Sequence, residues 1–169
     1  MLVRPYLAAD FDALYAVEER CFAPLFRFTR RYMRQLLGSR QAAAWIAEEE
    51  GTLAGFAIVE WTLEEEKKAA YIDTIEVDPQ WRRRGIAAEL LWRVEESARA
   101  AAACTIWLHV DEDNAGAIRL YESAGYICQG RHEDFYPQGR AALAFAKSLS
   151  SCDVAADAHQ QPPAKGAVH

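Results

Sequence analysis

The chain has 169 residues, of which 51% are hydrophobic and 26% charged, enough apolar surface for one packed domain and too much for a disordered chain. Its 19 Lys and Arg against 25 Asp and Glu leave a net charge of −6, the opposite of the basic footprint of a general nucleic-acid binder. No apolar run reaches the ~18 residues of a membrane span, and Met1-Leu2-Val3-Arg4-Pro5 lacks the apolar centre of a signal peptide, so a cytoplasmic protein with no nucleic-acid and no membrane partner is expected.

In chain order, Leu2 to Tyr6 is a strand candidate. Asp10 is placed to cap a helix carrying Phe11, Leu14, Val17 and Cys21 on one face. Thr29 is placed to cap a second helix, with Tyr32, Met33, Leu36 and Leu37, closed by Gly38. Residues 43–48 and 53–61 flank Glu50-Gly51, a hairpin signal. The charged run Glu64 to Lys68 reads as a solvated loop. Tyr71 to Val77 alternates strictly and must end at Pro79, with Tyr71 and Asp73 on one face. A long helix from about Gly85 to Ala102 carries Ile86, Leu90, Leu91, Val94 and Ala98. Thr105 to Val110 is a strand, and Asn114 opens a helix that stops at Gly125. Residues 126–128 and 141–145 complete the order β-α-α-β-β-β-α-β-α-β-β, an α/β mixed sheet. From Ser150 to His169 only Val154 and Val168 are large aliphatics, so residues 150–169 are expected to be a disordered tail on a domain of residues 1–149. The cysteines Cys21, Cys104, Cys128 and Cys152 form no CxxC pair, and no His pair stands at zinc-ligand spacing. No metal is expected, and the four thiols read as reduced.

Two stretches carry chemistry. The first, Arg82-Arg83-Arg84-Gly85-Ile86-Ala87-Ala88, follows a strand and opens the long helix. A helix N-terminus offers unpaired N–H groups and partial positive charge to a phosphate. Gly85 and Ala87 are small enough for a diphosphate to approach the backbone. Three arginines at that end are unfavourable unless an anion arrives. The plain alternative is a solvated basic turn. Neither a P-loop nor a GxGxxG fingerprint is present. The second stretch runs from Asn114 to Tyr126 and puts Ala117, Leu120, Tyr121 and Ala124 on one helical face. Alone, it reads as core packing with Gly125 as a C-cap.

Together, Arg82-x-x-Gly85-x-Ala87 after Ile75-Glu76-Val77-Asp78-Pro79, and Asn114-x-x-Ala117-x-x-x-Tyr121-Glu122-x-x-Gly125-Tyr126, resemble the GNAT superfamily of acetyl-CoA-dependent N-acetyltransferases. The resemblance covers nearly all of residues 1–149 and is strongest to the ribosomal-protein alanine and protein N-terminal acetyltransferases. It implies a mixed, mostly antiparallel central sheet of about seven strands flanked by about four helices and splayed between strands 4 and 5. It implies acetyl-CoA as co-substrate, with backbone groups of Ile75, Glu76 and Val77 pairing with the pantetheine arm. The pyrophosphate would lie on the stretch Arg82, Arg83, Arg84, Gly85, Ile86, Ala87 and Ala88. Asn114 and Ala117 would border the arm, and Tyr121 would face the sulfur and donate to the leaving thiolate. The Val77 N–H is the candidate donor to the developing oxyanion. With a thiol at ~8.5 and a tyrosine at ~10, complete transfer from Tyr121 is uphill, so hydrogen bonding to the departing sulfur is as suitable.

Three residues can take the proton of the amine: Tyr71, Asp73 and His109. The bacterial ribosomal-protein acetyltransferases usually carry Glu where this chain has His109. Some eukaryotic N-terminal acetyltransferases instead resemble Tyr71-Ile72-x-Thr74 with Leu108-His109-Val110, where Tyr and His organise a water. This chain matches the second pattern at both positions. A buried, hydrogen-bonded core histidine is the plain reading of His109, and Asp73 could instead bind the amine as a cation. An α-amine of pKa ~8 is about one-tenth neutral at pH 7, whereas a lysine of ~10.4 hardly is, so a weak base suits the α-amine. Phe22 and Phe26, in the aromatic stretch from Phe22 to Phe28, with Phe135 and Tyr136, are expected to wall the amine pocket, with ordinary packing as the alternative. The acceptor expected is a protein or peptide N-terminus, ahead of a small-molecule amine or a protein lysine. A non-catalytic acyl-CoA-binding module is the rival of another class. The chain is expected to be a monomer or a homodimer.

Overall fold

The computed structural model describes residues 1–62 and 68–149. Glu64 to Lys67 of the charged run, and the expected tail, lie outside the described residues. Seven strands and four helices follow one another as β1 (Leu2–Pro5), α1 (Phe11–Cys21), α2 (Arg30–Leu37), β2 (Ala42–Glu49), β3 (Thr52–Trp61), β4 (Ala69–Val77), α3 (Ile86–Ala100), β5 (Thr105–Asp111), α4 (Ala115–Ser123), β6 (Ile127–Tyr136) and β7 (Arg140–Ser148). This is the expected order. One sheet runs β1-β2-β3-β4-β5-β7-β6, antiparallel throughout except for the parallel pair β4–β5.

Both faces of the sheet are covered. α1 and α2 bury Leu14, Val17 and Met33 against Phe56 and Ile58. α3 and α4 bury Leu90, Val94 and Tyr121 against Val59, Ile106, Leu108 and Phe145. Local signals account for much of this. Glu50 and Gly51 take left-handed conformations (φ 51° and 76°) in the two-residue turn between β2 and β3. Thr29 caps α2 by accepting from the Tyr32 N–H at 3.1 Å. Asp10 behaves otherwise than expected. It stands at the N-cap of α1 but makes no side-chain cap bond. Its carboxylate accepts from the Leu7 N–H and from Arg4, each at 2.8 Å, because the turn at Ala8–Asp10 brings both donors to it. Cys104 is also not the reduced thiol expected: it is half-buried and disulfide-bonded, whereas Cys21 and Cys128 are free.

The feature that makes a site is the divergence of β4 and β5. They pair only from Ala69↔Thr105 to Tyr71↔Trp107, although β4 continues to Val77 and β5 to Asp111. The β3–β4 register shifts by one residue at this point, Ile58 facing Thr74 and Val59 facing Ile72, so that Asp73 is a bulge. A bulge bends and twists its strand, and β4 leaves β5 there. Asp73 therefore breaks the strict alternation read from the sequence.

Candidate active site

Two cavities meet in the splay. One, of about 620 Å³, lies between the end of β4, the start of α3 and α4. The other, of about 540 Å³, lies between β4, β5, the segment joining α1 to α2, and Tyr136. Cys21, Phe22, Ile75, Asn114, Ala117 and Tyr121 line both, and mark the junction.

The first cavity has the features of an anion and amide site. The Asp78 N–H donates to the Ala54 carbonyl at 2.9 Å. In an antiparallel ladder that phase directs the backbone of Glu76 at Phe56 on β3, and turns the backbone groups of Ile75 and Val77 toward the splay. The Val77 carbonyl is already held, by Arg82 Nε at 3.0 Å and the Cys21 thiol at 3.5 Å. Of the three β4 residues assigned to the arm, Glu76 thus borders the cavity but gives its backbone to β3. At the head of α3, Arg83 and Gly85 are left-handed (φ 65° and 80°). Gly85 is the N-cap and offers no side chain to the helix. The first helical bond runs from the Glu89 N–H to the Gly85 carbonyl at 3.2 Å. The N–H groups of Ile86, Ala87 and Ala88 are therefore free of intrahelical partners and line the cavity. Arg82, Arg83 and Arg119 line it too, and among the described residues none of them is in an ion pair. Arg84 stands apart, its guanidinium 4.8 Å from the centre of the Trp81 ring. This arrangement fits a pantetheine diphosphate.

The second cavity is where Tyr71, Asp73, His109, Phe22, Phe26 and Tyr136 converge. The Tyr71 hydroxyl lies 2.9 Å from His109 Nδ1. The His109 ring stacks on Phe135 at 4.3 Å, so Phe135 supports the histidine instead of closing the pocket. Burial, with help from the neighbouring His132, lowers His109 to about 4. Burial holds the Tyr71 hydroxyl well above its ordinary value and raises Asp73 to about 8. Tyr121 is buried at the junction, edge-on to Tyr126 with ring centres 5.7 Å apart, and burial keeps its hydroxyl protonated far above neutrality. Asn114 caps α4, its side-chain oxygen accepting from the Ala117 N–H at 3.1 Å.

The acetyltransferase (GNAT) family model matches residues 11–126. The chain belongs to that family. This N-acetyltransferase is 31% identical over 128 residues to the [ribosomal protein bS18]-alanine N-acetyltransferase of Escherichia coli K12, covering 76% of this chain and 82% of the relative. The crystal structure of the ribosomal-protein-S18-alanine N-acetyltransferase from Escherichia coli superposes with a TM-score of 0.77 at 26% identity, over 88% of this chain and 94% of the other. Arabidopsis thaliana NAA60, solved in complex with acetyl-CoA, shares the fold with a TM-score of 0.75 at 21% identity, over 87% and 97% of the two chains. Among the described residues no helix is long and apolar enough to cross a membrane.

Three contributors escaped the sequence reading. A Cβ on Gly55 would come within 2.5 Å of the Glu76 carbonyl oxygen, so the glycine lets β3 lie close under the cavity strand; a glycine inside a strand pattern is the available signal. Cys21 sits at the junction of the cavities, its thiol raised by burial to about 12. Glu18, fully buried on α1, reaches Glu76 on β4; nothing local distinguishes it from an exposed helix glutamate.

Proposed function

We propose that the enzyme transfers acetyl from acetyl-CoA to the N-terminal α-amine of a protein or peptide by direct attack, in the cytoplasm, where acetyl-CoA and new N-termini meet. The observation that carries this reading is the junction of two cavities at Tyr121 and Asn114. One has the donors for a diphosphate and an amide-bearing arm. The other has aromatic walls and buried titratable groups suited to one small amine-bearing residue. The bS18-alanine acetyltransferase relative supports the choice of acceptor.

Each residue then has a role that its surroundings allow. The N–H groups at the head of α3, with Arg82 and Arg83, hold the pyrophosphate. Ile75 and Val77 present backbone groups to the arm, as a strand edge does to a peptide. The Val77 N–H faces the carbonyl oxygen as charge develops there. Tyr121 donates a hydrogen bond to the departing sulfur; its burial makes full ionisation costly, which favours the hydrogen bond over complete proton transfer. Tyr71 and His109 form a neutral pair that fixes the inner wall of the acceptor cavity. Phe22, Phe26 and Tyr136 surround the first residue of the acceptor.

Incubation with acetyl-CoA and a library of free N-terminal peptides, read by mass spectrometry, tests the reading. Acetylation at the α-amine, with preference for small first residues, is expected. Acetyl-CoA binding without turnover on any amine would point to a binding module instead.

A further inference from the structure

The cavity proposed for the acceptor has walls from distant parts of the chain. One is the segment joining α1 to α2, which brings Phe22, Phe26 and Phe28. The other stands at the ends of β5, β6 and β7, with Asp111, Tyr136 and Arg140. The first wall is tied to its own helix. Arg27 donates to the Phe22 carbonyl at 2.7 Å and to the Glu19 carbonyl at 2.8 Å, and the Phe28 N–H donates to Glu18 at 2.7 Å. These bonds hold the segment to α1, and none of them crosses the cavity. Phe22 and Leu25 are exposed, so burial does little to pin the stretch between those ties.

Arg140 does cross it. Its guanidinium lies 5.4 Å from the centre of the Phe26 ring, within cation–π range, and its Nη2 lies 2.6 Å from Asp111 Oδ2. Asp111 is itself fixed. Its Oδ1 accepts from the Asp113 N–H at 2.9 Å, and its carbonyl accepts from the Asn114 N–H at 2.9 Å. A tight turn delivers Arg140 to this place. Gln138 and Gly139 are left-handed (φ 65° and 75°), and Tyr136 pairs with Arg140 across β6 and β7. Directly paired residues of an antiparallel ladder project from one face, so both side chains reach the cavity.

We propose that Arg140 is a positioning residue that latches the Phe26 wall to the end of β5 and so sets how large a first residue the acceptor cavity admits. The inference rests on the N-terminal acetyltransferase reading above and adds to it the determinant of first-residue choice. A guanidinium suits both contacts at once: its edge meets a carboxylate while its flat face meets a ring. Asp111 holds it on the side that leads through Asn114 into α4. The latch therefore fixes the aromatic wall relative to the helix that carries Tyr121. A wall held in place discriminates against a side chain longer by a methylene or two, and a wall that yields does so less. The role is carried through Phe26 and needs no contact between Arg140 and the reacting atoms.

The test uses the full chain and two peptides that differ only in the first residue, alanine or leucine. Arg140→Lys keeps a charge beside Asp111 but offers no flat face to Phe26. KM for the alanine peptide is expected to rise about two- to fivefold, the scale of an exposed cation–π contact, with kcat within about 1.5-fold of the parent. The ratio of kcat/KM for alanine over leucine is expected to fall about threefold or more. In a Phe26→Leu background the same substitution is expected to move neither quantity by more than about 1.5-fold, because the latched ring is gone. Unchanged KM and ratio, a loss confined to kcat, or equal effects with and without the Phe26 ring would overturn the assignment. A second readout does not depend on the acceptor. Amide hydrogen exchange across residues 22–28 is expected to be faster in Arg140→Lys than in the parent, and unchanged exchange would also overturn the latch. If the parent acetylates no peptide, the N-terminal reading falls, while the exchange measurement still decides Arg140.

Discussion

The Tyr71 hydroxyl and His109 Nδ1, 2.9 Å apart, join the last paired residue of β4 to β5 just beyond its own last paired residue, Trp107. The bond replaces the ladder at the first step of the splay, so the gap opens from a fixed point.

The pair sets a pH dependence of stability. Burial puts His109 at about 4 in the folded protein, against ~6.5 when unfolded. Between those values the unfolded chain binds more protons, so stability rises with pH across the window and is lost as pH falls from 6.5 toward 4. The effect is on the order of 1–3 kcal/mol. Thermal melts at pH 7.5 and pH 5 are expected to show a smaller drop for His109→Gln than for the parent. Equal drops would mean that His109 is not the buried neutral group described here.

Tyr121 supplies a second prediction. Its ring packs between Tyr126 and Phe145, and Phe at this position keeps that packing. Tyr121→Phe is expected to fold and to bind acetyl-CoA as the parent does, while kcat falls by about tenfold or more through loss of the donor to the leaving sulfur. Release of CoA thiol followed by a colorimetric reagent separates the two quantities. A loss confined to KM would place the hydroxyl in binding and not in departure of the thiol.

Elements with local causes could be read in advance. The Glu50-Gly51 turn, the Thr29 and Asn114 caps, the stop at Pro79 and the face of α4 each depend on residues a few positions apart. The basic turn before α3 could be tied to coenzyme A only through its pairing with the Asn114 to Tyr126 stretch. What could not be read depends on residues far apart in the chain. The bulge at Asp73 exists only against Ile58 and Val59 of β3. The stacking of Phe135 on His109 depends on β6 lying beside β7, and β7 beside β5. The Arg4 bond that draws Asp10 away from capping α1 spans only six positions, but it depends on the turn at Ala8–Asp10 and not on a residue pattern. Alternation along Tyr71 to Val77 could not show that burial would separate Asp73 from His109 by several pH units.

Gly55 is the third test. A methyl there would meet the Glu76 carbonyl oxygen at 2.5 Å and the Val77 Cα at 3.3 Å, both backbone atoms. Neither can turn aside, so Gly55→Ala must move β4 itself. A destabilisation of about 1–3 kcal/mol is expected, as for other overpacked sites. Because the displaced residues border the cavity proposed for acetyl-CoA, acetyl-CoA affinity measured by calorimetry is expected to fall as well. Unchanged affinity would show that the strand absorbs the methyl without passing the shift to its open edge.

The fourth concerns the carboxyl pair across α1 and β4. Glu18 is fully buried and Glu76 is 3% exposed. Glu18 Oε1 accepts from the Phe28 N–H at 2.7 Å, and Glu76 Oε1 accepts from the Thr74 hydroxyl at 2.7 Å. The other oxygens, Glu18 Oε2 and Glu76 Oε2, are buried and have no hydrogen-bond partner among the described residues. Burial raises both above the ordinary carboxylate range. Each therefore favours folding at low pH and loses that contribution as pH rises and its proton is drawn off. Glu76→Gln replaces a carboxyl that burial favours in its neutral form with a neutral amide of the same shape. Its melting temperature is expected to exceed the parent's at pH 8 and to match it more closely at pH 5. Glu76→Leu leaves the Thr74 hydroxyl without its acceptor, so it is expected to cost about 1–3 kcal/mol. Since Glu18, beside Glu76, holds the backbone of Phe28, which lines the proposed acceptor cavity, the Leu variant should raise KM for the peptide more than it lowers kcat. A Gln variant that melts below the parent at pH 8 would show that the pair does not hold a proton in the folded enzyme.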